Sequence, residues 1–238
     1  MKIQYFDNEE LMSKTAAGLI FDELKRKTGL LLCTASGSSP KGVYQYLVEN
    51  YKLEPEVFEN LGILKLDEWG GIPMDNPQTC EIYLQENLVK PLHISPSRYI
   101  SFNSNPENPD EECRRVATCL ESEGPIDICV LGLGLNGHIA FNEPDQYLLP
   151  SCHVTRLSEK SLEHPMAKMM GDIPRFGLTI GMKDILQARK VIMLVTGQKK
   201  NEIIRSFLSR KISTNLPASF LWLHPDIHCL IDRSSITF

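Results

Sequence analysis

The stretch Ile126-Asp127-Ile128-Cys129-Val130-Leu131-Gly132-Leu133, running on into Gly134-Leu135-Asn136-Gly137-His138, decides the fold. Its first part is the most apolar run of the chain. Ile, Cys, Val and Leu without polar alternation mark a central strand buried on both faces, the kind found in parallel sheets covered by helices. The same run is no membrane span, because residues 128–135 already hold two glycines and a spanning helix needs about 20 apolar residues.

Outward from that strand, helical and strand patterns alternate in both directions. Residues 9–27 place Leu11, Ala16, Leu19, Ile20 and Leu24 near helical spacing and close on Lys25, Arg26 and Lys27 before Gly29, a helix with a basic C-terminus. An apolar run at 30–35 predicts a strand, followed by the small polar loop Ser36 to Ser39 and a helix from Pro40 to about Asn50. Strands are expected at 63–66 and 99–102, and helices at 78–89 and 110–122. Beyond the central strand, residues 143–174 are dotted with Pro and His and carry little pattern besides a short strand at 153–157 and a short helix at 164–170. Then come a strand at 190–196, helices at 199–208 and 218–224, and a last strand at 227–231. This alternation predicts a single Rossmann-like α/β domain over residues 1–238, a mostly parallel sheet with helices on both faces. The irregular stretch, about 144–174, is expected to be a lid, since long structureless loops in compact domains usually serve a function.

Composition limits the function classes. The chain has 238 residues, 42% hydrophobic and 23% charged, with a net charge of -5. That balance is globular, and it supplies no general positive field for nucleic acid or an anionic membrane. The N-terminal residues carry Asp7, Glu9 and Glu10 where a secretion signal needs an apolar core, so a cytoplasmic protein is expected. Seven scattered cysteines without a Cys-x-x-Cys pair read as reduced thiols. His138, His153 and His164 are not spaced as i and i+4, and no compact ligand cluster appears, so no metal and no cofactor is expected.

Ligands of open parallel sheets bind outside the carboxyl ends of the strands, and four exit loops here are chemically loaded. Ser36-Gly37-Ser38-Ser39-Pro40 presents amide donors before a helix, with Ser39 and Pro40 suited to the cap and first helical positions, and forms a phosphate cradle. Asp67-Glu68-Trp69-Gly70-Gly71 sets a carboxylate pair beside an indole that can desolvate it, as a general base requires. Gly132, Gly134 and Gly137 match a dinucleotide fingerprint, but Pro144 falls where the phosphate-binding helix should still run. The same loop brings His138 within five residues of Glu143, a pair able to shuttle protons. Thr196-Gly197-Gln198-Lys199-Lys200 offers a lysine to an anion on the first loop. Taken singly, each loop is also compatible with a solvated turn.

In order along the chain, TASGSSPKGVY, LKLDEWGGIP, PQTCEIYL, IDICVLGLGLNGHIAFNEP, LTIGMKDILQARKVIMLVTGQKK and PASFLWLHP resemble the glucosamine-6-phosphate deaminase and 6-phosphogluconolactonase superfamily. Within it, LKLDEW, the Asn of GLNGH and PASFLWLHP look most like the galactosamine-6-phosphate isomerase (deaminase) branch. The resemblance implies that Asp67 moves a proton between C2 and C1 of the sugar, that His138 assists ring opening, and that Glu143 supports His138. It implies a phosphate site of Ser36, Gly37, Ser38, Ser39 and Lys200, with Gly137 in the same ligand-facing loop. Two positions depart from the pattern. Asn136 stands where glucosamine-type deaminases commonly carry Asp, and the lid arginine that grips phosphate has only Lys168 as a stand-in. The implied reaction converts galactosamine 6-phosphate and water to tagatose 6-phosphate and ammonia. Alternatives are deamination of glucosamine 6-phosphate to fructose 6-phosphate, hydrolysis of 6-phosphogluconolactone, nicotinamide-dependent oxidoreduction, and a non-catalytic sugar-phosphate sensor. The implied partner is a phosphorylated amino sugar, homo-oligomerisation stays open, and the short stretch after the last strand makes an allosteric hexamer the less favoured assembly.

Overall fold

The computed structural model describes residues 1–198 and 200–235. In chain order the elements are β1 (Lys2–Phe6), α1 (Glu9–Arg26), β2 (Leu31–Thr34), α2 (Lys41–Leu53), β3 (Gly62–Lys65), β4 (Asp67–Gly70), α3 (Cys80–Leu84), β5 (Tyr99–Ile100), α4 (Pro109–Glu123) and β6 (Ile128–Gly132). They continue with β7 (His153–Thr155), α5 (Glu159–Leu162), α6 (Pro165–Met169), β8 (Phe176–Thr179), α7 (Met182–Leu186), β9 (Lys190–Val195), α8 (Asn201–Leu208) and β10 (Ile227–Asp232). A π-helical turn, Gln85–Val89, extends α3, and a 3-10 turn covers Pro217–Leu223.

Seven strands form one sheet in the order β1-β10-β9-β6-β2-β3-β5, and every pairing in it is parallel. The apolar runs read as continuous because successive side chains enter different cores. Val191, Met193 and Val195 of β9 pack on one face with Leu31 and Cys33 of β2, Cys129 and Leu131 of β6, and Val116 of α4. Ile192 and Leu194 pack on the other face with Leu32, Ile128 and Val130, under Ile20 of α1 and Leu47 of α2. The period of two along each strand therefore stocks two apolar layers, as a sheet covered on both faces requires. Asn8 caps α1 by accepting from Leu11 N at 2.9 Å, Glu9 and Glu10 follow in the first turn, and Lys25 and Arg26 sit in the last. That arrangement suits the helix dipole at both ends.

Several elements depart from the sequence reading. β1 is an added edge strand, paired with β10 and only partly buried, so its sequence lacks the long apolar run of the central strands. Residues 67–70, read as an exit loop, are instead β4, all four residues buried, in a second sheet of antiparallel order β4-β8-β7. β8 and α7 are four and five residues long, too short to show a period. The stretch 144–174 is partly scaffold, because β7 within it pairs with β8 and leaves 156–175 as the connection between the two strands. α2 begins at Lys41 with Pro40 as its cap, and Ser39 directs its hydroxyl to Thr196 Oγ1 at 2.6 Å. α8 is described from Asn201, and Lys199, the expected start of that helix, lies outside the described residues. All seven cysteines are free thiols, five of them buried. Among the described residues no helix is long and apolar enough to cross a membrane.

Candidate active site

The four loaded loops leave the carboxyl ends of four neighbouring strands, β9, β6, β2 and β3. From β2 the chain moves to β3 and β5 on one side, then returns to β6 on the other. The loops after β2 and β6 thus flank a topological switch point, the usual crevice for a ligand in such a sheet.

Asp67 leads off β4 after Leu66 and pairs in register with Thr179, which pairs in turn with His153. The residue is 9% exposed, and its carboxyl is buried beside charges. Burial pushes its pKa up and the neighbouring Glu68 pushes it further, while Lys65 and a thiol contact from Cys80 oppose; the carboxyl settles at about 7. An acid poised there can both take and return a proton at neutral pH. Glu68, the second acid of the pair, is fully buried and serves as a hub. Its carboxylate accepts from Lys65 Nζ at 2.8 Å and from the backbone amides of Trp69, Cys80 and Glu81 at 2.8, 2.9 and 2.8 Å. Lys65 also donates to Glu81 at 2.7 Å and to Phe102 O at 2.7 Å, so the buried ammonium is fully engaged. Above this network, Ser36 Oγ donates to Cys80 Sγ at 3.0 Å, and the thiol faces Asp67 Oδ1 at 3.9 Å. The first loop and the carboxyl of Asp67 are therefore joined through one cysteine.

The loop after β6 folds back on itself, with Gly134 N donating to His138 O and Gly137 N to Gly134 O, both at 3.0 Å. A side chain at 134 would meet the imidazole of His138 at 2.4 Å, so glycine is what lets that ring lie across the loop. Gly137 O accepts from Ala218 N at 3.0 Å, which ties the loop to the PASFLWL turn. His138 Nδ1 lies 3.5 Å from Glu143 Oε2 and 3.2 Å from Ser161 Oγ. Glu143 accepts from Asn136 Nδ2 at 2.8 Å, from Ser158 N at 3.2 Å and from the Ser161 hydroxyl. Burial alone would raise its pKa, but His138, Ser161 and Asn136 hold the carboxyl down at about 2, so it is a fixed anion behind the imidazole. Asn136 meanwhile accepts from His138 N at 3.2 Å. The whole loop hangs on the small sheet, since Phe141 N donates to Thr179 Oγ1 at 3.2 Å, and Thr179 is the register partner of Asp67.

Of the predicted anion site, Ser36, Gly37, Ser38 and Ser39 stand together at the exit of β2, with Ser38 exposed and Ser39 bonded to the exit of β9. Lys200 caps α8, and burial lowers its ammonium to about 8. Lys168 is exposed on α6, and its side chain makes no hydrogen bond or ion pair among the described residues. The glycine-rich loop is followed by no helix before β7, so it lacks the element that a dinucleotide pyrophosphate uses. Among the described residues no group of three or more His, Cys, Asp or Glu is placed to hold a metal ion. Sequence reasoning missed Cys80, Lys65, Ser158, Ser161 and His164. Cys80 lies in the quoted PQTCEIYL segment, whereas the two serines and His164 come from the irregular stretch and carry no local signal.

A family model described as glucosamine-6-phosphate isomerases/6-phosphogluconolactonase matches residues 7–229. The chain belongs to this family. Its similarity to a protein of Escherichia coli (strain K12) named "Putative deaminase AgaI" is 40% identity, covering 97% of this chain and 91% of that one. With the glucosamine-6-phosphate deaminase of Thermoanaerobacter pseudethanolicus (strain ATCC 33223 / 39E) it shares 35% identity over 99% and 94% of the two chains. The solved structure of a monomeric glucosamine-6-phosphate deaminase superimposes with a TM-score of 0.91 at 34% identity, covering 98% of both chains. A 6-phosphogluconolactonase from Trypanosoma cruzi shares the fold, with a TM-score of 0.80 at 18% identity over 98% of this chain and 94% of that one. The chain is thus an enzyme of the glucosamine-6-phosphate isomerase/6-phosphogluconolactonase family, built on the family's single α/β domain.

Proposed function

We propose that the protein deaminates an amino-sugar 6-phosphate, taking galactosamine 6-phosphate and water to tagatose 6-phosphate and ammonia. The observation that carries this reading is the buried carboxyl of Asp67, held at about 7. Lactone hydrolysis needs a base only to activate water and moves no proton between carbons, whereas the isomerisation needs one group that takes a proton from C2 and returns it to C1. The phosphoryl group sits on Ser36, Gly37, Ser38 and Ser39, with Lys200 as its cation, and the β7–β8 connection, residues 156–175, covers it. His138, backed by the Glu143 anion and oriented by Asn136 and Ser161, handles the ring-oxygen proton as the ring opens. Asp67 removes the C2 proton to give an enolamine and returns it to C1. The resulting iminium carbon, C2, adds water and expels ammonia, leaving the ketose. Gly137 keeps the loop tight against the substrate.

The preference for the galacto epimer rests on LKLDEW, Asn136 and PASFLWLHP. Ammonia release from galactosamine 6-phosphate and glucosamine 6-phosphate, run beside hydrolysis of 6-phosphogluconolactone, tests the whole reading. The expected result is at least tenfold higher kcat/KM for the galacto substrate, a difference of about 1.4 kcal/mol in transition-state binding. A tenfold preference for the gluco epimer overturns the epimer assignment, and lactone hydrolysis without ammonia release overturns the reaction.

A further inference from the structure

His164 is the least expected side chain near the crevice. It stands just before Pro165 at the head of α6, and its Nδ1 accepts from Met166 N at 3.3 Å. Accepting that bond leaves the ring proton of a neutral imidazole on Nε2. Burial, with smaller contributions from His138 and Lys200, lowers the pKa of His164 to about 4, so the ring is neutral at pH 7.

The direction of Nε2 comes from Gly37. A Cβ built on Gly37 would stand 3.5 Å from His164 Nε2 and 3.7 Å from Cε1, so the imidazole edge overhangs the middle of the Ser36–Ser39 loop. Gly37 has φ of +100°, in the region that favours glycine, and its missing side chain keeps open the space between ring and loop. On its other side the ring faces Trp69, with centroids 6.0 Å apart and planes tilted by 34°. Trp69, Met166, Ala167 and Met170 belong to one small apolar cluster that holds α6 in place. No group among the described residues accepts from Nε2. A half-buried donor therefore points over the loop that is ready to hold an anion.

We propose that His164 Nε2–H donates a hydrogen bond to the phosphoryl group held by Ser36–Ser39, making His164 a phosphate-binding residue contributed by the β7–β8 connection. This rests on the phosphate role of that loop in the proposed function. A neutral donor suits the position, because Lys200 already brings a cation and a second full charge would have to be desolvated beside it. Lys168 lies four residues further along and is exposed.

The test compares wild type with His164→Asn. Asparagine can still accept from Met166 N, which preserves the cap, but its amide is too short to reach the anion. With the ring nitrogens of histidine labelled, inorganic phosphate titrated into wild type is expected to shift the Nε2 resonance that His164→Asn abolishes. His164→Asn is expected to weaken phosphate binding and raise KM by roughly 10- to 100-fold, the worth of one hydrogen bond to a charged group, with kcat changed less than threefold. No phosphate-dependent shift at Nε2, or a His164→Asn enzyme that binds phosphate as wild type does, overturns the proposal. The phosphate titration needs no turnover, so it decides the role of His164 even if wild type releases no ammonia and the proposed reaction fails.

Discussion

Replacing Asp67 by Asn should slow turnover by orders of magnitude and stabilise the fold, and the stabilisation should depend on pH. In the native protein the carboxyl is buried and titrates at about 7, against an ordinary value of 3.8. Below pH 3.8 both folded and unfolded chains hold the proton, and the group costs nothing. As pH rises from there, the unfolded chain ionises first, so native stability falls until the folded carboxyl also ionises near pH 7, and is flat above. Each pKa unit corresponds to about 1.4 kcal/mol, which makes the penalty about 2 kcal/mol at pH 5 and about 4 kcal/mol at pH 9. Asparagine has the shape of the protonated acid and escapes this penalty. Urea unfolding of wild type and Asp67→Asn at both pH values should therefore show a stability gap in favour of the variant that roughly doubles. At the higher pH, the melting temperature should rise by on the order of 10 °C. Ammonia release and C2 solvent-deuterium exchange should fall by about 10²–10⁴-fold. A gap that does not change with pH would show that Asp67 titrates normally, and exchange at the wild-type rate would show that the base lies elsewhere.

Lys200, lowered to about 8 by burial, should lose its proton as pH rises through that value. KM for the sugar phosphate should then climb above pH 8 in wild type, and Lys200→Ala should give a KM at least tenfold higher and flat over the same range; a parallel rise in both enzymes would remove Lys200 from the site. Glu68→Gln should lower stability by about 3 kcal/mol, because the buried Lys65 loses one of its two carboxylates. It should also move the acid limb of kcat/KM to lower pH by withdrawing the charge that raises Asp67; unchanged unfolding midpoints would contradict the hub described for Glu68.

The large sheet was legible because its central strands bury both faces, and that demands uninterrupted apolar runs such as 128–131 and 191–195. Of the small sheet only β7 was legible, as the short strand expected at 153–157, because β4 and β8 are four residues each and their burial depends on their partners. Reading Asp67-Glu68-Trp69-Gly70 as a loop placed the right residues at the right strand exit, but it hid why both acids are buried. The pair His138 and Glu143 was readable because both lie on one short loop. Ser161 and His164 were not, because their place in the crevice is set by α5 and α6 packing under Trp69, a contact nearly a hundred residues away in sequence.

Ser161 and His164 are one turn apart, and the amide of His164 donates to the carbonyl of Ser161 at 3.0 Å. One of them reaches the imidazole of His138, and the other overhangs Gly37. That single turn works as a ruler laid along the crevice, its two marks being the proton-handling end and the anion end. Its length cannot be altered by one residue without rotating one mark away, since neighbouring positions on a turn face different ways. A sugar whose phosphoryl group sits one carbon nearer to, or farther from, its carbonyl would meet one mark and miss the other. On the proposed function, selection for chain length would thus be written into backbone spacing, independently of any side chain that reads the hydroxyls between.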